Sequence, residues 1–328
     1  MHKIWLLKLA LPLPYGRTLT GLLLLAVLLT LFHAGAAGTG EHGAPTLFFS
    51  LIIAYIVPVF GFITAKAQEA LEALRPILDM TDVEYEHSHT RLDSASLRLT
   101  LGSLVWGTLA GFAHLSFIRG SLSATIDAML SGFPGALTTG GTLMVWVVMT
   151  TVIVMLLQQA IVFGRLGGDY ARVSLLNTRN LLPFARVSII SSLAVLGALA
   201  LFPLINVESG LDLKESVPGA VIILGPLVIM FIIPVWPLHQ RLVQLKQQEL
   251  FGLQERIEAA LAGSSGVNLE SAQIDTLLPL LNYRREITQI STWPFDVGNI
   301  TVLLFYLIIP PLTWVGAALV ENLVNLAM

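Results

Sequence analysis

The chain contains no cysteine. Disulfides, thiolate metal sites, cysteine nucleophiles and dithiol redox relays are therefore excluded, and the redox compartment cannot be read. Charge is scarce as well. Asp, Glu, Lys and Arg make up 12% of the 328 residues, against roughly a quarter in soluble domains. A soluble chain of 35.5 kDa could not cover its surface with so few charges, so a cytosolic enzyme and a disordered chain are both excluded. The net charge of −3 gives no basic field for nucleic acid. Walker, GxSxG and HExxH motifs are missing, and no dinucleotide fingerprint joins a strand to a helix. No catalytic residue, cofactor or metal site is assigned, and the chain is not expected to be an enzyme.

What is present is apolar. Hydrophobic residues make up 55% of the chain and the mean hydropathy is +0.78. A membrane-crossing helix needs about 20 mostly apolar residues. Seven stretches qualify: Thr18–His33, Leu47–Thr64, Leu99–Ile118, Leu143–Phe163, Val187–Ile205, Val217–Leu238 and Val302–Val320. None contains Asp, Glu, Lys or Arg, and none alternates as a barrel strand does. The fold expected is an all-α polytopic bundle of seven spans.

Basic residues set the orientation, because short cytoplasmic loops are enriched in them. Sixteen of the 18 lie before span one, or between spans two and three, four and five, or six and seven. Only Arg119 and Lys214 lie on the other side. The expectation is a cytoplasmic N-terminus and an external C-terminus, in a bacterial inner membrane. A charged N-region, an apolar run and His33-Ala34-Gly35-Ala36 also resemble a signal peptide. The repeat described next makes span one a structural element instead.

The chain partly repeats itself. Leu51-Ile52-Ile53-Ala54-Tyr55-Ile56-Val57-Pro58-Val59-Phe60 matches Leu227-Val228-Ile229-Met230-Phe231-Ile232-Ile233-Pro234-Val235-Trp236 at five of ten positions. Pro14-Tyr15-Gly16-Arg17 opens span one as Pro183-Phe184-Ala185-Arg186 opens span five. Leu74-Arg75-Pro76 before Asp93 corresponds to Leu277-Leu278-Pro279 before Asp296, both at an offset of 203 residues. The reading is a 3+1+3 arrangement of two parallel units, related by an axis along the membrane normal. Residues 1–118 form the first unit. Residues 119–164 hold an outer loop and a connecting span, and 165–328 the second unit.

The offset of 176 at the prolines grows to 203, so the second unit gains 27 residues. Leu242, Leu245, Leu250, Leu253, Ile257 and Leu261 stripe one helix face, and Gly263-Ser264-Ser265-Gly266 turns the chain back. A cytoplasmic helical hairpin is expected at about 239–292. Its stripe packs on its own partner helix and the Lys66–Leu78 helix, or it docks a cytoplasmic protein or a second copy of the chain.

Candidate site residues follow from cost in lipid. Pro58, Pro226, Pro234, Pro237, Pro310 and Pro311 interrupt spans two, six and seven, and each frees a backbone carbonyl. Such carbonyls must face protein or a water-filled cavity, so matched breaks mark either a substrate path or packing kinks. Gln158 and Gln159 in span four are costly unless paired, and helix contact is the favoured role. His33 and His114 are read as packing or interfacial groups. In the outer segment Arg119–Gly141, a short amphipathic helix precedes a Gly/Thr-rich stretch. It lies flat on the leaflet or re-enters as a pore element. Asp82, Glu84, Glu86, His87 and His89 sit in a solvated loop. Trp293 and Asp296 are expected where span seven enters the membrane.

The bilayer is the certain partner; nucleic acid is not one. The leading function is a passive channel or facilitator for a small solute or ion. The alternative is a membrane scaffold or sensor acting through its cytoplasmic helices.

Overall fold

The computed structural model describes residues 1–13, 15–36, 43–201, 204, 225, 227–262, 271–293 and 301. The fold is all-α. Two short strands, β1 (His2–Lys3) and β2 (Ser94–Ala95), pair antiparallel. Helices α1 (Gly16–Ala36), α2 (Gly43–Leu74), α3 (Asp82–Asp93), α4 (Leu97–Arg119), α5 (Leu122–Leu130), α6 (Phe133–Arg165) and α7 (Leu182–Ala200) follow one another. After residues 227–232, which are helical, come a turn at 233–235 and the hairpin of α8 (Trp236–Ala262) and α9 (Ser271–Gln289).

Among the described residues, five helices are long and apolar enough to cross a membrane: α1, α2, α4, α6 and α7. They coincide with the first five expected spans. Much of the sixth span and all of the seventh, with Pro310 and Pro311, lie outside the described residues, as does Asp296. The superposition of two three-span units falls there too.

α2 and α6 are central, with α1, α4 and α7 around them. In the most apolar 18-residue stretch of each, 67% of α2 is buried but only 22% of α4. α4 shows why. Its inward stripe is Ser103, Gly107, Gly111 and Leu115, spaced by four as helix periodicity requires. A Cβ on Gly107 would lie 2.7 Å from Val147 Cα, and one on Gly111 2.8 Å from Leu143 Cδ2. Small residues let α4 and α6 approach closely, which is how helices associate where lipid removes the hydrophobic drive. The outward side of α4 presents Leu101, Val105, Trp106 and Leu109, each more than half exposed. So much exposed apolar surface suits a lipid neighbour.

The segments rich in Lys and Arg gather at one end of the bundle. Lys3 pairs with Ser94 across the strands. Asp79 N–H donates to Tyr170 O at 2.8 Å, and Arg172 N–H to Ile77 O at 2.8 Å. Arg172 also pairs with Asp79 at 2.9 Å. Arg241 donates to Ala171 O at 2.9 Å. The N-terminal, second-to-third, fourth-to-fifth and post-sixth segments are thus bonded to one another, as the charge alternation requires.

Two local expectations change. Phe133–Gly141 is not a Gly/Thr-rich loop or re-entrant element but the start of α6. Pro134 sits in its first turn, where a missing N–H costs nothing, and Thr138 Oγ1 bonds back to Pro134 O at 3.1 Å. The Asp82–His89 stretch is not a loop but α3, opened by a capping box between Thr81 and Glu84.

Candidate functional site

The proline motif Pro-Val-aromatic takes two different forms. At Pro58, α2 continues as one helix through Leu74, so the expected interruption is absent. One proline removes one N–H and leaves Ala54 O without its helical donor; the turns on either side hold. At Pro234 the helix stops in the turn 233–235, and α8 begins at Trp236. The cause lies three residues on. Pro237 stands where the first copy has Gly61. Two prolines a turn apart strip the donors that would reach Met230 O and Ile233 O, and consecutive losses break the helix.

Two of the three freed carbonyls, Ala54 O and Ile233 O, abut glycines of a neighbouring helix. A Cβ on Gly21 of α1 would lie 3.0 Å from Ala54 O and 3.1 Å from Pro58 Cγ. A Cβ on Gly164 of α6 would lie 2.8 Å from Ile233 O, and one on Gly168 3.1 Å from Pro237 Cβ. Pro234 is buried, with Met230 and Val235 at 1% and 0% exposure. Pro58 is half-buried and also borders a groove between α1 and α2. Between α2, α6 and α7 the core holds a cavity of about 40 Å³, lined by apolar side chains and Tyr55. A water needs roughly 10–15 Å³ and two to four polar partners, so this space has the volume for water but is poor in partners. Tyr55 already donates its hydroxyl to Ala194 O at 3.1 Å.

The glutamine pair ties the bundle to the basic end. Gln158 Nε2 donates to Arg91 O and to Ser94 O, the latter at 3.0 Å. Gln159 Nε2 donates to Leu92 O at 2.7 Å and Thr64 Oγ1 at 3.1 Å. Arg91 and Leu92 belong to the last turn of α3, whose carbonyls have no intrahelical donor. Gln158 and Gln159 therefore act as helix contacts. Arg241 does the same at the second break. Its Nη1 reaches Gly168 O at 3.1 Å and Ala171 O at 2.9 Å, closing the π turn Leu166–Tyr170 that ends α6.

The hairpin is held at its base. His239 stacks on Trp293 with ring centres 3.9 Å apart and bonds Thr292 O through Nδ1 at 3.0 Å. Lys246 Nζ donates to Thr288 O at 2.7 Å and Ile290 O at 2.8 Å. Leu242, Leu253 and Ile257 of the stripe are buried, and Leu242 joins a cluster with Leu71, Leu74 and Leu78. Further out, Phe251, Leu278 and Leu281 stay exposed at 68%, 58% and 46%. The Tyr283 hydroxyl donates to Glu249 at 3.3 Å and brings Phe251 and Leu281 to about the same level.

His114 faces Trp146 at 5.3 Å, a packing contact. Leu122 and Ile126 of α5 are exposed, as expected of a helix lying flat. On α3, Glu84 accepts from the Thr81 backbone N–H and hydroxyl and from the Tyr170 hydroxyl. These bonds, the backbone one first, hold its carboxyl below the usual glutamate range. No group of three or more His, Asp or Glu gathers as a metal site among the described residues. Sequence reasoning did not pick out Gly21, Gly164, Gly168 or Arg241. Their signal lies in contacts between distant segments. The Ser103-Gly107-Gly111 spacing was readable. Compared with known families, curated proteins and solved structures, the chain matches none.

Proposed function

We propose that the protein is a membrane-anchored scaffold or sensor, whose basic end faces the cytoplasm and whose helical hairpin binds a protein partner there. The carrying observation is the pair of opposite surfaces. Phe251, Leu278 and Leu281 are exposed on a hairpin held firmly at its base, while the cavity between α2, α6 and α7 is small and lined by apolar side chains and Tyr55. Phe251 lies 15 residues beyond the start of α8, about 22 Å along a helix at 1.5 Å per residue. That distance favours a protein over the bilayer as its neighbour. Charges of both signs, such as Glu249, Arg256 and Arg284, surround these side chains, a pattern that suits the apolar face of an amphipathic helix.

The passive-conduit reading draws on the matched prolines. Ala54 O, freed by Pro58, however, abuts Gly21, and Ile233 O, freed by Pro237 beside the second break, abuts Gly164, which favours packing over passage.

Site-specific photo-crosslinking in intact cells tests the proposal. A photoreactive residue at Phe251 or Leu278 should give one discrete heterologous adduct. The same residue at Val83, 80% exposed on α3, should not. Equal labelling at all three positions, or adducts only with lipid, would overturn it. An adduct only with a second copy would replace the partner with self-association.

A further inference from the structure

A second cavity lies away from the hairpin. It is a groove of about 1170 Å³ between α1, α2 and the N-terminal segment, larger than the roughly 300–1,000 Å³ of small-ligand pockets. Its two ends differ chemically. Toward the middle of the bundle its walls are Leu22, Leu25 and Leu51, with Leu22 exposed at 60%. At the basic end it is lined by Lys3, Arg17 and Asp93.

Two of those three groups are cations. Neither Lys3 nor Arg17 has an ion pair or side-chain hydrogen bond among the described residues. Both are nevertheless positioned by the fold. Lys3 is fixed by the strand pairing with Ser94 and by Ile4 N–H donating to Asp93 O at 3.0 Å. Arg17 lies over Gly61, where a Cβ would sit 3.6 Å from its Cδ and Nε; the missing side chain leaves room for its stem. Asp93, which accepts from Ser94 Oγ at 2.8 Å, is one carboxylate against these two cations, so the mouth of the groove is net positive.

We infer that this groove binds one anionic phospholipid from the leaflet at the basic end, its phosphate held by Arg17 and Lys3 and an acyl chain lying along Leu22, Leu25 and Leu51. An apolar trough opening onto lipid suits a chain better than a soluble anion. Basic pockets between membrane helices favour anionic headgroups, each cation being worth about a fivefold gain in affinity near the surface. The inference is independent of the hairpin proposal.

The test is native mass spectrometry of the full chain in neutral detergent. It is titrated with phosphatidylglycerol, phosphatidylcholine or glycerol 3-phosphate. Wild type should retain one phosphatidylglycerol in preference to phosphatidylcholine. Arg17→Gln should weaken that binding about fivefold and Arg17→Lys should largely restore it. Lys8→Gln, a nearby cation outside the groove, should leave it unchanged. Leu22→Trp, which fills the trough while keeping both cations, should displace the lipid from a protein of unchanged thermal stability. Equal retention of both lipids, equal effects of Arg17→Gln and Lys8→Gln, or glycerol 3-phosphate binding as tightly as the lipid would each overturn the assignment.

Discussion

Pro58 and Pro234 carry the same local sequence and reach opposite outcomes. The first sits inside an unbroken 32-residue helix; the second ends its helix. Proline alone does not decide whether a membrane helix breaks. The residue one turn later does, and here it is Gly61 in one copy and Pro237 in the other. The surroundings then adapt in the same way. Ala54 O, freed by Pro58, and Ile233 O, freed by Pro237, each abut a glycine of a neighbour, Gly21 or Gly164. A side chain of each region, Gln159 or Arg241, secures carbonyls of the basic end.

The sharpest way to break the comparison is to fill its glycines. Gly164→Val places a Cβ 2.8 Å from Ile233 O and should destabilise the protein by about 3 kcal/mol, the upper range for overpacking. Gly61→Ala meets only Arg17 at 3.6 Å, an ordinary contact, and should stabilise the protein by about 1 kcal/mol, the helix-propensity gain of Ala over Gly. Reversible unfolding in mixed micelles measures both. Equal effects would mean that the close approach at the second break carries no energy.

Next come the polar anchors. Arg241→Met leaves Gly168 O and Ala171 O without their donor, and Gln159→Leu does the same to Leu92 O and Thr64. Each should cost about 1–3 kcal/mol, the penalty for leaving a buried polar group unpaired. A double variant should be additive to within about 0.5 kcal/mol if the two regions are independent. Larger coupling would mean that they form one network.

Pro237→Gly makes the second copy match the first. It should let the helix run on through 233–235. Spin labels at Ile229 and Gln247 would then sit about 27 Å apart, as 18 residues of straight helix require. An unchanged distance distribution would place the cause of the break outside Pro237.

The smallest effect is on pH. Glu84 joins the two regions through Tyr170, and its folded carboxyl is more acidic than an ordinary glutamate. Its contribution is therefore complete above the ordinary glutamate value of about 4.3. It is lost as pH falls through the lower folded value. Hydrogen exchange of α3 should accelerate, beyond its intrinsic pH dependence, only in that acidic window, and Glu84→Gln should abolish the transition.

Much of this architecture was written in local pattern. Apolar length marked the five helices, and basic residues marked the shared end. The leucine stripe and the Gly-Ser turn marked the hairpin. The alignment of Pro58 with Pro234 was equally visible, yet its consequence was not, because the break depends on Pro237 and on glycines more than 30 residues away in sequence. The Thr- and Gly-rich start of α6 misled for a related reason. Such residues favour turns in water, but among packed membrane helices they permit close approach. Gln158 and Gln159 were legible as costly groups needing partners. Which carbonyls they meet is set by α3 folding back beneath α6.

The central claim is that the bundle anchors and the hairpin acts. Flux per folded molecule in proteoliposomes tests it most directly, with potassium, chloride and glycerol as probes. Wild type, Pro58→Ala and Pro234→Ala should all match protein-free vesicles. Flux above that background in wild type, changed in either variant at equal folded protein, would contradict the account.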